Sequence, residues 1–224
     1  MNHTHSLSTL ELNNSHCLGG EFSIVVGSDD VDQGQQIAVA QQIEHPLYDS
    51  NTDQYDMALL ILEEPTTLDI PFVRVNDDNL YPPEGTITHA MGWGDIDPGD
   101  GQRLSDILRV VDLEVISNND CEDAKEGGDS YNGWIYPSML CTSTEGQDAC
   151  QGDSGGPLIV KNGSPDQDVI VGVVSWGVGC AFLPGVFGRV SRGYSWIEET
   201  VRQESTACPN FPICVETESP TKSK

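Results

Sequence analysis

Basic residues are scarce. Ten Lys and Arg stand against 36 Asp and Glu in 224 residues, a formal net charge of -26. Such a surface repels phosphate backbones and anionic lipid headgroups, which argues against nucleic-acid and membrane partners and keeps the chain soluble. Long apolar runs are missing as well: nothing approaches the roughly 18 consecutive residues of a membrane span, and residues 1–10 lack the basic start and apolar stretch of an export signal. None of the seven cysteines (Cys17, Cys121, Cys141, Cys150, Cys180, Cys208 and Cys214) is paired at Cys-x-x-Cys spacing. Disulfides in an oxidising compartment are therefore a better reading than structural zinc, with one cysteine left over. A disulfide pattern without an export signal leads to the expectation that the true amino terminus lies upstream of Met1. No internal repeat or heptad is present, which excludes solenoids and coiled coils.

What remains is a chain with 23 Gly and 13 Pro, suited to a turn-rich globular protein. Short β-rich runs at 22–26, 37–43, 57–62, 108–116, 158–161, 169–176 and 186–190 are bounded by turn residues and predict a mostly β fold. Pro65, Pro71, Pro82 and Pro83 interrupt regular structure between two β units. The expected organisation is a first unit over 1–72, a connector over 73–84, a second unit over 85–204 and a tail over 205–224. Tyr194, Ile197 and Val201 recur on one face, which predicts a docking helix over 192–204.

The most informative stretch is 152–158, Gly-Asp-Ser-Gly-Gly-Pro-Leu. A serine flanked by glycines can sit where backbone N–H groups approach a substrate carbonyl. The spacing also fits the Gly-x-Ser-x-Gly elbow of α/β-hydrolases, but those place their histidine after the serine. All five histidines here precede Ser154. The remaining order, His then Asp then Ser, needs an upstream aspartate. Asp56 stands directly before the apolar run Met57-Ala58-Leu59-Leu60, where a carboxylate requires partners.

Together with Gly92-Trp93-Gly94 and Val174-Ser175-Trp176-Gly177, these motifs resemble the trypsin and chymotrypsin family of serine proteases over about residues 15–201. The resemblance implies an all-β fold of two packed six-stranded antiparallel β-barrels, with a cleft between them and a carboxy-terminal helix. The first barrel is expected to be incomplete, because few residues precede the family's histidine position. His16, followed by Cys17, matches that position, although Asn14-Ser15 stands where the family carries Ala-Ala; His45 reads as a surface residue. The implied machinery is a triad of His16, Asp56 and Ser154, with the backbone N–H groups of Gly152 and Ser154 as oxyanion hole.

By the same resemblance Asp148 lies at the base of the primary specificity pocket, Gly177 and Gly185 form its walls, and Ser175 and Trp176 contact substrate. That set implies cleavage after Arg or Lys, without a cofactor or metal. The implied disulfides are Cys121–Cys141, Cys150–Cys180 and Cys208–Cys214, which leaves Cys17 unpaired. Implied partners are protein or peptide substrates and protein inhibitors, and the implied location is extracellular. In such proteases a newly cut amino terminus pairs with the aspartate before the nucleophile, here Asp153. Ile24-Val25-Val26-Gly27 looks like such a terminus, but it follows His16 and reads better as a core strand. Asp29, Asp30 and Asp32 read as an acidic turn. The alternative is an inactive protease-like binding or scaffold protein, should the short first barrel disable the base.

Overall fold

The structure is a computed structural model and describes residues 10–97, 99 and 101–204. The expected tail and the Cys208–Cys214 pair lie outside the described residues. Strands β1 (Leu10–Asn13), β2 (Ser23–Val26), β3 (Gln35–Glu44) and β4 (Ala58–Leu62) form a curled antiparallel sheet in the order β1-β4-β3-β2. A two-residue strand, β5 (Arg74–Val75), lies on the way to the second unit. There β6 (Ile87–Gly92), β7 (Arg109–Ile116), helix α1 (Asn118–Asp123), the small hairpin β8 (Lys125–Glu126) and β9 (Asp129–Ser130), and β10 (Met139–Thr142) follow in turn. Then come β11 (Pro157–Val160), β12 (Val169–Trp176), β13 (Gly185–Arg189) and helix α2 (Val190–Glu204). The sheet order β11-β6-β7-β10-β13-β12 is closed by β11 pairing with β12, which makes a six-stranded barrel; β5 adds to β12 in parallel. The second barrel is thus complete, and the first is a half-barrel of four strands among the described residues.

Burial explains the strands that the sequence made plain. All five residues of β4 are buried, and so are six of the eight in β12, so both appear as continuous apolar runs rather than alternating ones. In β12, Val171 and Val174 fill the barrel with Leu113, Leu140, Leu158 and Phe187. Ile170 and Val173 point outward and join Ile159, Leu59 of β4, and Val190, Ile197 and Val201 of α2. This shared cluster clamps the half-barrel, barrel and helix together. Ile197 and Val201 supply the expected docking face of α2, with Trp196 packed against the cluster; Tyr194, expected on the same face, is half-buried.

Some expectations need correction. The segment at Ile24 is strand β2, but it is a sheet edge and no core strand: Val25 is 45% exposed and its neighbours are exposed or half-buried. Strands β1, β6 and β10 were not legible as apolar runs, since they carry Asn13, His89, Gly92 and Cys141. Helix α1 is polar and short. It begins because the Ser117 side chain caps it, accepting from the Asp120 N–H.

Two glycines permit the close approach of the two units. A Cβ on Gly188 of β13 would stand 2.7 Å from the Asp56 carbonyl oxygen, and one on Gly193 of α2 would press 2.8 Å from Cε of the buried Met57. Overpacking of this kind costs about 1–3 kcal/mol. Gly188→Ala should therefore lower the urea midpoint of unfolding by that equivalent. An unchanged midpoint would show that the units are not in tight contact there.

Candidate active site

Antiparallel pairing of Asn13 with Ala58 sets the first part of the site. The chain leaves β1 in a 3-10 turn, Ser15–Cys17, while Asp56 precedes β4, so the turn folds onto the carboxylate. Asp56 is fully buried and must be satisfied by donors. The His16 backbone N–H donates to Oδ1 at 2.9 Å, the His16 ring meets Oδ2 through Nδ1 at 2.6 Å, and Ser175 Oγ at the end of β12 donates to Oδ2 at 2.6 Å. The bond to Asp56 lifts the His16 imidazole above its ordinary value of 6.5, against burial, which lowers it. The polar pair Asn14-Ser15 is accommodated by carbonyls of both units. Ser15 Oγ donates to Met57 O at 2.6 Å, and Asn14 Nδ2 donates to Val174 O at 2.7 Å.

Ser154 lies on a loop fixed from several sides. A disulfide joins Cys150 to Cys180, and the Asp153 carboxylate accepts from the backbone N–H of Gly94 at 2.7 Å and of Cys150 at 2.9 Å. Gly155 donates to Val174 O at 3.0 Å, tying the loop to β12. Gly152 and Gly155 have φ of 94° and 82°, a region that side chains rarely enter, and a Cβ on Gly155 would also strike the Asn13 amide. Among the described residues the backbone N–H groups of Gly152 and Ser154 donate to nothing, and Ser154 Oγ makes no hydrogen bond. No cation lies on Asp153 among the described residues.

Beside Ser154 opens a cavity of about 250 Å³, which Asp148, Ser175, Trp176, Gly177 and Gly185 also line. The Asp148 carboxylate accepts from Ala149 N–H at 2.9 Å and Ala181 N–H at 3.1 Å. Burial nevertheless pushes it up to about 6. A Cβ on Gly185 would collide with that carboxylate, whereas one on Gly177 would meet nothing nearer than 3.8 Å. Packing therefore demands glycine at 185, and at 177 its effect is to keep space open. Tyr131, a buried residue that the sequence did not single out, braces the wall: its hydroxyl donates to Pro184 O at 2.9 Å and accepts from Val178 N–H at 2.8 Å. Its ring meets Trp176 edge-on at 4.9 Å, and the Cys121–Cys141 disulfide lies in the same cluster. Tyr131 stands alone in a turn-rich segment, so periodicity offers no signal for it. A larger cavity, about 460 Å³, is lined by Asp148 and Asp153 and does not include Ser154.

His45 is not the surface residue expected. It is 4% exposed, stacked on Tyr55 at 4.8 Å and edge-on to Trp196 at 4.7 Å, and burial holds it down to about 4. Its Nδ1 accepts from Leu47 N–H, so it is a neutral packing residue. Cys17 is free among the described residues.

This arrangement has counterparts. The Trypsin family model matches residues 11–197. Trypsin epsilon of Drosophila erecta is 36% identical over 198 residues, covering 84% of this chain and 73% of that one. Serine protease 1 of Rattus norvegicus is 35% identical over 195 residues, 84% of this chain and 74% of that one. Glucanase inhibitor protein 2 of Phytophthora infestans is 36% identical over 173 residues, 75% and 64% respectively. With a family match over most of its length and relatives above 30% identity that it largely covers, the chain belongs to the trypsin family of serine proteases.

Proposed function

We propose that the protein is an endopeptidase that hydrolyses peptide bonds after Arg or Lys through His16, Asp56 and Ser154. The observation that carries this reading is that one cavity is lined by both a serine free of hydrogen bonds among the described residues and a half-buried carboxylate, Ser154 and Asp148. A guanidinium or ammonium on Asp148 recovers the electrostatic energy that burial of the carboxylate costs, and it would bring the following carbonyl towards Ser154. Ser154 Oγ attacks that carbonyl, His16 Nε2 takes the hydroxyl proton, and the Gly152 and Ser154 N–H groups receive the developing oxyanion. The protonated His16 then gives its proton to the leaving amine. Water repeats the sequence on the acyl-enzyme and releases the carboxylic acid. Asp56 orients His16 and stabilises its cation, and Ser175 keeps Asp56 in place. The reaction uses side chains, backbone N–H groups and water. Two disulfides and the family membership support action outside the cell, on protein substrates and open to protein inhibitors.

Reporter peptides ending in Arg or Phe test the reading. The chain should cleave the Arg reporter preferentially, Ser154→Ala should lose on the order of 10⁶ in kcat, and Asp148→Ser should lose the Arg preference. A folded chain that cleaves neither reporter would leave the protein as a non-catalytic member of its family.

The pH profile provides a separate check. His16 must be neutral to act as base, so kcat/KM for both reporters should rise with pH through a value above 6.5. The Arg reporter also needs ionised Asp148, which takes up a proton below about 6. Selectivity for Arg over Phe should therefore decline below that pH, approaching about tenfold per unit. A selectivity independent of pH between 5 and 8 would remove Asp148 from the pocket's chemistry.

A further inference from the structure

We propose that Asn14 is a positioning residue that restrains the base: its side-chain amide donates to the Nε2 lone pair of His16 and competes there with the Ser154 hydroxyl. This rests on the reading of His16 and Ser154 as base and nucleophile. Asn14 is fully buried, and its Nδ2 lies 2.7 Å from Val174 O and 3.4 Å from His16 Nε2. The first contact orients the amide, because turning it over would set Oδ1 against a carbonyl oxygen. Both amide hydrogens are then engaged, one on Val174 O and the other facing the imidazole. Oδ1, meanwhile, is buried without a partner among the described residues. An isolated acceptor of this kind is costly, and is tolerated where other contacts hold the group.

Asp56 occupies Nδ1, so in the neutral ring the proton is on Nδ1 and the lone pair on Nε2. A donor on Nε2 favours this neutral form. When the Oγ–H bond of Ser154 breaks and the Nε2–H bond forms, the same amide faces a second donor and opposes the cation. Asn14 thus weakens His16 as a base and occupies the lone pair to which the Ser154 proton must pass. The long 3.4 Å contact makes this a restraint that substrate binding can overcome rather than a block. Free Ser154 Oγ in the structure is the other side of the same competition.

The test is nitrogen NMR of the His16 ring in the full chain, beside Asn14→Ala and Asn14→Ser, neither of which reaches Nε2; the serine keeps a polar group at the position if loss of the amide impairs folding. In both variants the Nε2 resonance of the neutral ring should move towards the value of an unbonded pyridine-type nitrogen, and the His16 pKa should rise by about half a unit or more. Cleavage of the Arg reporter should increase roughly 2- to 10-fold on the alkaline plateau. An unmoved Nε2 resonance and pKa in the folded variants would overturn the proposal, whatever the activity. The expected shifts with no cleavage by any form would uphold the Asn14–His16 contact and refute the catalytic reading instead.

Discussion

A buried carboxylate organises this molecule. Asp56 has no exposure to solvent and is served by donors from two structural units: His16 from the turn after β1, and Ser175 from the end of β12. A charge removed from water is tolerated only with such a set, and each donor must arrive from a different direction. The half-barrel and barrel therefore have to meet at this residue. Gly188 makes room for the Asp56 main chain, and the cluster of Leu59, Val173, Ile197 and Val201 supplies the apolar burial that holds the meeting point. The site is a consequence of how the units dock.

Around that point the two remaining parts have supports of their own and are joined to each other by the Cys150–Cys180 bond. The Ser154 loop depends on its own glycines, the Cys150–Cys180 bond and the Asp153 carboxylate caught between backbone donors. The cavity wall depends on Tyr131 and its hydrogen bonds to both sides of the 178–184 segment. The strands of the half-barrel bear most directly on the His16 turn, whose neighbours Asn14 and Ser15 reach for carbonyls of Val174 and Met57.

The legible features of the sequence were those with local causes. Strand β12 is found at residues 169–176 as expected, because burial on both faces writes it as one apolar run between turns. Helix α2 showed its docking face through Ile197 and Val201, while its first turn, beginning at Val190, was hidden by the preceding strand. Strand β6 carries a histidine and a glycine and β10 a cysteine in a few residues, and only the closure of the barrel makes them strands. The buried state of His45 depends on Tyr55, Trp196 and the space left by Gly193, none of which is visible from His45-Pro46. The candidate site residues were singled out through the family resemblance and the need of Asp56 for partners. Tyr131 and the reach of Asn14 were not, since both act through contacts distant in sequence.

The claim at the centre of this account is that Ser154 is a nucleophile activated by the His16–Asp56 pair beneath a cation-binding pocket. Its most direct test is mass spectrometry of the folded chain after treatment with an arginine-like phosphonate diester, which reacts with an activated serine and not with an ordinary hydroxyl. The account predicts one adduct, located on Ser154, absent in Ser154→Ala and formed at least about 10³-fold more slowly in His16→Ala. No adduct on the folded chain, or labelling indifferent to the loss of His16, would contradict it.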